Sequence, residues 1–344
     1  MSVSYSPVLW NKQKRRYDRV LWLGILLLIV SFIGIQLLLD AQITPETLII
    51  RTSSLVAIVL LQFILVIGPL CRLNDAFLPL LYNRRHLGVS MFIFAAIHAI
   101  FSIIQFHSLG DVNALASIFL SNTKYLEISQ FPFQVLGFFA LLILFLMAAT
   151  SHDFWLKNLS PKVWKTLHML VYVAYALVLL HIALGILQYE QHPIYWGLLV
   201  VGFLIVTGLH LLAASKEHRW LKAQKKYLKA EGFYDVCAIE DIPNNCAKGV
   251  FIEEQNIAIF KYDQQISAVN NVCRHQMGPL AEGKIVDGCI TCPWHGYQYL
   301  PANGQSPPPF QEKLETYATK VLKNRVWVNP QPQEEGTYLE PAKI

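Results

Sequence analysis

The sequence predicts a multi-domain membrane protein in which a six-helix α-helical transmembrane bundle precedes a small all-β domain. Three observations support this fold class. Hydrophobic residues make up 54% of the 344-residue chain and charged residues only 15%, against about 25% charged in ordinary soluble domains. The charged residues are concentrated near the two ends and in short clusters between apolar runs. After residue 232 apolar and polar residues instead alternate, which is typical of β-strands.

Six apolar segments are long enough to cross a membrane. A bilayer core about 30 Å thick requires roughly 20 apolar residues per helix. None of the six contains Asp, Glu, Lys or Arg, and they are 20–39, 53–70, 87–106, 131–150, 166–187 and 193–214. The first is too long for the core of a signal peptide, so we interpret it as a retained helix.

The basic residues between these segments predict the orientation of the bundle. Lys and Arg are concentrated on one side, and the other side holds only Arg51 and Lys124. Since Lys and Arg mark the cytoplasmic side, we expect a multi-pass protein of the cell (inner) membrane with both termini in the cytoplasm. The basic stretch 216–231 either lies on anionic lipid as an amphipathic helix or is only the last topological anchor.

The β-strand signals define the last domain. NIAIFKYDQQISAVNNV alternates apolar and polar residues around a turn, VDGCI contains an Asp-Gly turn, and VLKNRVWVN is typical of a short strand. The chain therefore divides into five predicted parts: a cytoplasmic N-terminal segment (1–19), the transmembrane domain (20–215), a basic juxtamembrane linker (216–231), the all-β domain (232–330) and a C-terminal tail (331–344).

The all-β domain contains two matching pairs of metal-binding side chains. In CRHQMGPLAEGKIVDGCITCPWHG, Cys273 and His275 form C-x-H, and Cys292 and His295 form C-x-x-H. Zinc sites usually pair their ligands as C-x₂₋₄-C and H-x₃₋₅-H. Here each half supplies one Cys and one His, which is the mixed set that a Rieske-type [2Fe–2S] cluster needs.

The stretch resembles the Rieske ferredoxin family, and the resemblance covers most of the last 100 residues. It implies that Cys273 and Cys292 bind one iron of a single [2Fe–2S] cluster, and that His275 and His295 bind the other. The resemblance extends to the end of the first loop (278–280), to the second loop (296–299 and 303–304) and to its proline cover (306–309).

Two features indicate the branch of that family. The respiratory-complex type has one extra Cys in each loop, but Met277 or Gly278 and Trp294 occupy those positions here. The resemblance is therefore to the ferredoxin and oxygenase branch, which implies a reduction potential toward the low end of the Rieske range. An oxygenase would also need an iron domain with two His and a carboxylate. We expect none, since fourteen residues follow residue 330.

Histidines within the apolar segments indicate a second cofactor, because ionisable side chains in a membrane are costly and usually functional. At about 1.5 Å per residue, His98 lies about 16 Å and His181 about 22 Å from the cytoplasmic ends of their helices. Imidazole is a common haem ligand. Because His98 and His181 lie at similar depths, they are the better-matched pair for one haem. His168, only about 3 Å deep, would serve a second haem, and His86 at a similar depth could be its partner. Alternatively, His168 would hydrogen-bond a haem propionate.

RRHLGVSMFIFAAIH (84–98) and WKTLHMLVYVAYALVLLH (164–181) resemble the ferric-reductase-like transmembrane family. They are most similar to its MsrQ (YedZ) branch, the haem subunit of a periplasmic methionine-sulfoxide reductase system. The shared pattern is RRxLG with a His eleven residues after the Leu, and WxxLHxxVY with a second His thirteen residues after the first. The resemblance covers about 50–215 and implies one or two haem b with His98, His168 and His181 as ligands. We expect His107 and His210 to be hydrogen-bonded core residues.

The two resemblances together imply membrane electron transfer. Larger ferric reductases carry a flavin and nicotinamide module after the sixth helix, but the chain has no G-x-G-x-x-G motif after a strand. We therefore expect an oxidoreductase component that accepts electrons from a cytoplasmic NAD(P)H-dependent reductase or ferredoxin. Electrons would pass through the cluster and haem to ferric iron, a quinone or a periplasmic reductase at the far face. The lipid bilayer is the other expected partner, and no nucleic acid is expected.

A second hypothesis treats the six helices as an anchor. The Rieske domain would then be a membrane-tethered ferredoxin that serves a cytoplasmic oxygenase or desaturase. His98 and His181 discriminate between the two, because a bare anchor has no reason to bear the cost of intramembrane imidazoles.

Overall fold

The computed structural model describes residues 12–159, 161–185, 193–224, 227–275, 277–293 and 296–344. Two compact units divide between Ala213 and Ala214. The first unit is helical, and every strand of the described residues begins at Leu228 or later. The expected fold class, a transmembrane helical bundle followed by an all-β domain, is confirmed.

The described residues contain six runs that are long and apolar enough to span a membrane, as the sequence predicted. The fifth, Val163–Leu184, is shared by two helices that are separated at Leu170. The helices are α1 (Lys12–Leu39), α2 (Pro45–Leu73), α3 (Arg84–His107), α4 (Ala114–Leu120), α5 (Phe133–Thr150), α6 (Asp153–Asn158), α7 (Pro161–Met169), α8 (Val171–Leu184) and α9 (Pro193–Gln224).

Helix α2 shows how the sequence sets a helix end. Thr44 caps the helix by accepting a hydrogen bond from the Thr47 N–H at 3.3 Å, which satisfies one of the free donors of the first turn. Pro45 occupies the first helical position, where its missing N–H has no cost. Glu46 adds negative charge beside the positive end of the helix dipole. These residues begin the helix eight residues before the predicted segment.

Helix α9 extends beyond the length needed to cross a bilayer. Its 32 residues correspond to about 48 Å at 1.5 Å per residue, whereas the hydrocarbon core is about 30 Å thick. The basic residues up to Gln224 therefore continue the last span as one helix. For the basic stretch 216–231, this continuity favours a role as the last topological anchor over a separate helix lying on the lipid.

The β unit consists of two antiparallel sheets. The first has the order β1-β2-β11-β10, and the second has the order β12-β5-β4-β3-β6-β7-β8 with β9 paired to β5. The strands are β1 (Leu228–Ala230), β2 (Phe233–Ala238), β3 (Cys246–Ile252), β4 (Gln255–Tyr262), β5 (Gln265–Asn270), β6 (Lys284–Val286), β7 (Cys289–Thr291), β8 (Gln298–Tyr299), β9 (Thr316–Tyr317), β10 (Thr319–Leu322), β11 (Arg325–Val328) and β12 (Ala342–Lys343).

Both turns that the sequence indicated join neighbouring strands. Asp263 and Gln264, with φ of 43° and 57°, connect β4 to β5. Asp287 and Gly288, with φ of 51° and 75°, connect β6 to β7. Two-residue turns with positive φ match the twist of antiparallel strands, so these turns set the register of the hairpins that carry the candidate ligand loops.

The β unit has two hydrophobic clusters of buried residues. One lies around Ile257, Ile259 and Val326. The other contains Cys273 and Cys292, which are 0% and 2% exposed, together with residues such as Phe260, Leu280 and Tyr299. The two candidate thiol ligands are therefore part of a packed core.

Candidate cluster and haem sites

The two candidate ligand loops have the same pattern of backbone hydrogen bonds. In the first, the Cys273 N–H donates to the Gly278 carbonyl at 2.9 Å, and the Met277 N–H donates back to the Cys273 carbonyl at 2.8 Å. In the second, the Cys292 N–H donates to the Tyr297 carbonyl at 2.8 Å, and the Gly296 N–H donates back to the Cys292 carbonyl at 2.9 Å. Each loop thus folds tightly around its cysteine.

One residue among those described in each loop adopts the left-handed backbone conformation. Gly296 has φ of 74° and Met277, at the matching position, has φ of 61°. Glycine reaches this region without steric cost, whereas a side chain with a Cβ is strained there. The matching φ values confirm that the loops are structurally equivalent, although only the second has the favourable residue.

Tyr299 connects strand β8 to the first loop. Its hydroxyl oxygen lies 3.3 Å from the Cys273 Sγ and accepts a hydrogen bond from the Arg274 N–H at 2.9 Å. The Tyr299 proton is therefore available for the sulfur. Burial, followed by the charge of Cys273, raises the pKa of the Tyr299 hydroxyl, so this group stays a donor at any ordinary pH.

We expect the substitution Tyr299→Phe to lower the reduction potential of the cluster by about 20–60 mV. Hydrogen bonds to cluster sulfurs stabilise the more negative, reduced form. A net hydrogen bond is worth about 0.5–1.5 kcal/mol, and about 59 mV corresponds to a tenfold change in a one-electron equilibrium. A redox titration followed by electron paramagnetic resonance would measure the shift. An unchanged or raised potential would contradict this role of the hydroxyl.

His275 lies at the outer side of the site. Its ring stacks on the Tyr297 ring with centroids 5.1 Å apart and an angle of 7° between planes. Tyr297 in turn packs against Phe310 at 4.8 Å and donates a hydrogen bond to Glu312. The imidazole is half-buried, whereas both cysteines are fully buried. A carrier with this arrangement would exchange electrons through its histidine side.

The residues present fit a Rieske cluster. Two buried thiols, in loops of equal geometry, supply the sulfur ligands, and the buried Nδ1 of His275 supplies one nitrogen. Tyr297 and Tyr299 pack together at 5.3 Å and link the two loops. The fourth predicted ligand, His295, lies outside the described residues. All four stay predictions as ligands.

The helical bundle brings together His98 and His181, the two histidines that were predicted to pair because they lie at similar depths in their helices. The His98 and His181 rings have centroids 6.2 Å apart. Two imidazoles that share a metal ion, each with a nitrogen about 2 Å from it, have centres about 6 Å apart. The His98 Nδ1 is 3.1 Å from the Ile50 carbonyl, and the His181 Nδ1 is 2.9 Å from the Phe133 carbonyl.

These backbone bonds fix which nitrogen is available. A backbone carbonyl only accepts hydrogen bonds, so each Nδ1 carries the proton and each Nε2 keeps its lone pair. Metal-binding histidines usually donate their second ring N–H to such a carbonyl. The pair His98 and His181 would therefore hold a haem through these two nitrogens.

Gly137 of α5 makes room for the His181 ring. A Cβ at residue 137 would lie 2.8 Å from both Cε1 and Nδ1 of His181. Such contacts require the ring to move. The small residue is therefore part of the site, because it lets α5 and α8 approach on the face that carries the imidazole.

We expect Gly137→Ala to weaken haem binding by tenfold or more while the bundle still folds. Changes next to a ligand typically cost about 10–100-fold in affinity, whereas alanine itself is a better helix former than glycine by about 1 kcal/mol. Haem per protein in purified samples, measured optically, would show the loss. Gly24→Ala is the matched control, since a Cβ there has no heavy atom within 4 Å. Equal haem content in both variants would contradict the steric role.

His168 lies apart from this pair in the described contacts. Its ring stacks on Trp164 with centroids 3.9 Å apart, and its Nε2 is 3.3 Å from the Thr150 Oγ1. The His86 Nδ1 is 3.2 Å from the Asp18 carboxylate. His168 as a haem ligand stays a prediction from the resemblance.

The two histidines expected to be core residues have hydrogen bonds within the protein. His210 contacts the Tyr172 hydroxyl at 3.0 Å and the Val206 carbonyl at 2.8 Å. His107 is buried and lies 2.9 Å from the Ser117 hydroxyl. Both ring nitrogens of His210 are thus engaged, which agrees with a structural role.

The comparisons with known proteins match the two units separately. The family model "Ferric reductase like transmembrane component" matches residues 53–179, and the model "Rieske [2Fe-2S] domain" matches residues 232–318. The haem-binding subunit MsrQ of the protein-methionine-sulfoxide reductase of Herminiimonas arsenicoxydans is 33% identical over 165 residues, which are 47% of this chain and 70% of MsrQ.

The β unit has its own relatives. The ferredoxin component of the alkene monooxygenase system of Xanthobacter autotrophicus is 28% identical over 101 residues, which are 29% of this chain and 83% of the ferredoxin. A solved complex of reduced oxygenase and oxidized ferredoxin in carbazole 1,9a-dioxygenase includes a chain that is 23% identical. The match covers 30% of this chain and 98% of that one, with a TM-score of 0.28.

Fold, site and comparisons define a multi-pass membrane protein of electron transfer that has a Rieske [2Fe–2S] domain. The chain belongs to the ferric-reductase-like transmembrane family, in which MsrQ is a haem-binding relative, and its Rieske domain follows the membrane domain.

Proposed function

We propose that the protein conducts electrons across the cell (inner) membrane, from a cytoplasmic donor to an acceptor at the far face. The donor is a NAD(P)H-dependent reductase or a ferredoxin. Cys273, His275, Cys292 and His295 hold one [2Fe–2S] cluster, and His98, His168 and His181 hold one or two haem b. When bound, these groups supply one-electron transfer, while the protein sets their position and potential.

The observation that carries this proposal is the close pair His98 and His181. Their rings lie 6.2 Å apart on α3 and α8, and each Nδ1 is engaged by a backbone carbonyl. Imidazoles oriented in this way within spanning helices are costly unless they bind something. An anchor for a soluble carrier needs no such pair. The observation therefore favours electron conduction across the membrane, which we call the conduit, over the tethered ferredoxin.

The Rieske domain supports a soluble donor. Its described surface presents the half-buried His275 beside Tyr297, with the exposed Phe310 next to them. The related ferredoxins are named as components of monooxygenase and dioxygenase systems, so exchange with a separate redox protein is the mode of action that the resemblance supports. The donor would dock beside His275.

The acceptor is ferric iron, a quinone or a periplasmic reductase. MsrQ is named as a subunit of a protein-methionine-sulfoxide reductase, which supports a protein acceptor. The distribution of Lys and Arg supports cytoplasmic termini, so that a cytoplasmic donor would reach the Rieske domain.

A dithionite-reduced minus oxidised optical spectrum of the detergent-purified protein tests the cofactor content. We expect sharp bands of haem b above the broad absorbance of the Rieske cluster. Rieske absorbance alone, after expression with sufficient haem, would contradict the conduit and support the tethered ferredoxin for a cytoplasmic oxygenase or desaturase.

A further inference from the structure

The C-terminal residues 331–344, which we name the C-terminal strap, are bound along the cluster domain. Four backbone N–H groups of the strap donate to carbonyls of the domain at 2.9–3.0 Å: Gln333 to Thr316, Gly336 to Leu314, Leu339 to Ala302 and Ile344 to Gln264. Strand β12 also pairs with β5. The matched Rieske region ends at residue 318, so the strap lies beyond it.

The strap contacts the first ligand loop through one ion pair. The Glu335 carboxylate pairs with the Arg274 guanidinium. Arg274 stands between Cys273 and His275, and its own N–H donates to the Tyr299 hydroxyl at 2.9 Å. The side chain of Arg274 is therefore held by the strap, and its backbone by strand β8.

The residue after Glu335 fixes where this carboxylate lies. Gly336 has φ of 84°, and a Cβ there would lie 2.6 Å from the Lys313 side chain. Its N–H donates to the Leu314 carbonyl at 3.0 Å, and its carbonyl accepts from the Gln305 side chain at 2.9 Å. The backbone next to Glu335 is thus pinned from both sides.

The two ligand loops are closed by different contacts. Two strand pairs, Ile290 with Tyr299 and Thr291 with Gln298, close the second loop. An isolated bridge between Val272 and Pro279 closes the first, beside a hydrogen bond from the Leu280 N–H to the Asn271 carbonyl at 2.8 Å. The first loop also places Met277, a residue with a Cβ, in the left-handed region, where glycine is favoured.

The ion pair acts locally rather than on overall stability. Its side chains are 37% and 49% exposed, and pairs of this exposure add little to the free energy of unfolding. They can still restrict the loop at Arg274, which lies between its two candidate ligands. Unfolding of the whole domain is therefore not expected when the pair is removed.

We propose that Glu335 is a positioning residue, which holds the first ligand loop, residues 273–280, closed through Arg274. The proposal rests on the assignment of Cys273 and His275 as cluster ligands. Its consequence is that the C-terminal strap helps to retain the cluster.

Hydrogen–deuterium exchange of the full, cluster-loaded protein tests this. The variant is Glu335→Gln, and the control is Glu334→Gln, the exposed neighbouring carboxylate. We expect several-fold faster exchange at the N–H groups of Cys273 and Met277, and unchanged exchange at those of Cys292 and Gly296. The second loop has the same hydrogen bonds and is thus an internal reference. Iron loss to a chelator should accelerate several-fold in Glu335→Gln and stay unchanged in Glu334→Gln.

Two further experiments distinguish loss of the ion pair from general damage to the domain. In 1 M salt the Debye length falls to about 3 Å, so the first loop of the unsubstituted protein should exchange faster, toward the rate of the variant. Arg274→Gln should reproduce the effect of Glu335→Gln, and the double variant should add nothing, because partners in one contact are not additive.

Three results would overturn the proposal: equal acceleration in both loops, no acceleration in either, or the same effect in Glu334→Gln. Failure of the ligand assignment is seen separately, as a Cys273→Ser variant that keeps its cluster absorbance.

Discussion

The variant His98→Ala is expected to lose the haem that His98 and His181 would hold together, because it removes one of the two imidazole nitrogens and leaves the other alone in an apolar bundle. Loss of a ligand exceeds the 10–100-fold affinity cost that is typical of its surroundings. Haem per protein should fall by one equivalent, to zero if the bundle holds one haem and to one if it holds two. Optical spectra of samples purified after haem-replete expression would measure this change.

The matched control for this prediction is His210→Ala. His210 is also an intramembrane histidine, but its nitrogens are engaged by Tyr172 and Val206. This variant should keep the full haem content. Unchanged haem in His98→Ala, or equal loss in both variants, would contradict the assignment of His98.

Cys292→Ser is expected to abolish the Rieske cluster and to leave membrane insertion and haem content unchanged. The Cys292 thiol is 2% exposed within the packed core of the β unit, and serine supplies a hard oxygen in place of the thiolate that iron–sulfur clusters require. The signal of the reduced cluster in electron paramagnetic resonance should disappear. The haem bands serve as the internal reference.

Cys289→Ser is the matched control for Cys292→Ser. Cys289 lies three residues earlier, is half-buried and belongs to strand β7 rather than to the loop. We expect this variant to keep its cluster. Loss of haem together with the cluster in Cys292→Ser would mean that the two units do not fold independently.

Much of the fold could be predicted because membrane and strand patterns are local. Apolar runs of about 20 residues have few alternatives to a spanning helix, and the Asp287–Gly288 turn sets a hairpin by its own backbone preference. The ends of helices were less accessible. Helix α2 begins at Pro45, which depends on capping by Thr44 rather than on hydropathy.

The sites, like the fold, could be predicted only in part. The paired C-x-H and C-x-x-H spacings indicate the ligands directly, whereas their surroundings arise from tertiary contacts between distant segments. Nothing in the sequence places Glu335 beside Arg274, since 61 residues separate them. Gly137 had only a weak signal, a small residue within an apolar run, which often marks close helix packing.

Electron transfer through the protein in sealed proteoliposomes tests the conduit most directly. Chemically reduced ferredoxin would be added outside, ferricyanide would be enclosed within, and only proteins with the Rieske domain outward would react. We predict ferricyanide reduction with the unsubstituted protein and its loss in both His98→Ala and Cys292→Ser. Reduction that persists in His98→Ala, or its absence from the unsubstituted protein with both cofactors present, would contradict electron transfer across the membrane through the cluster and the haem.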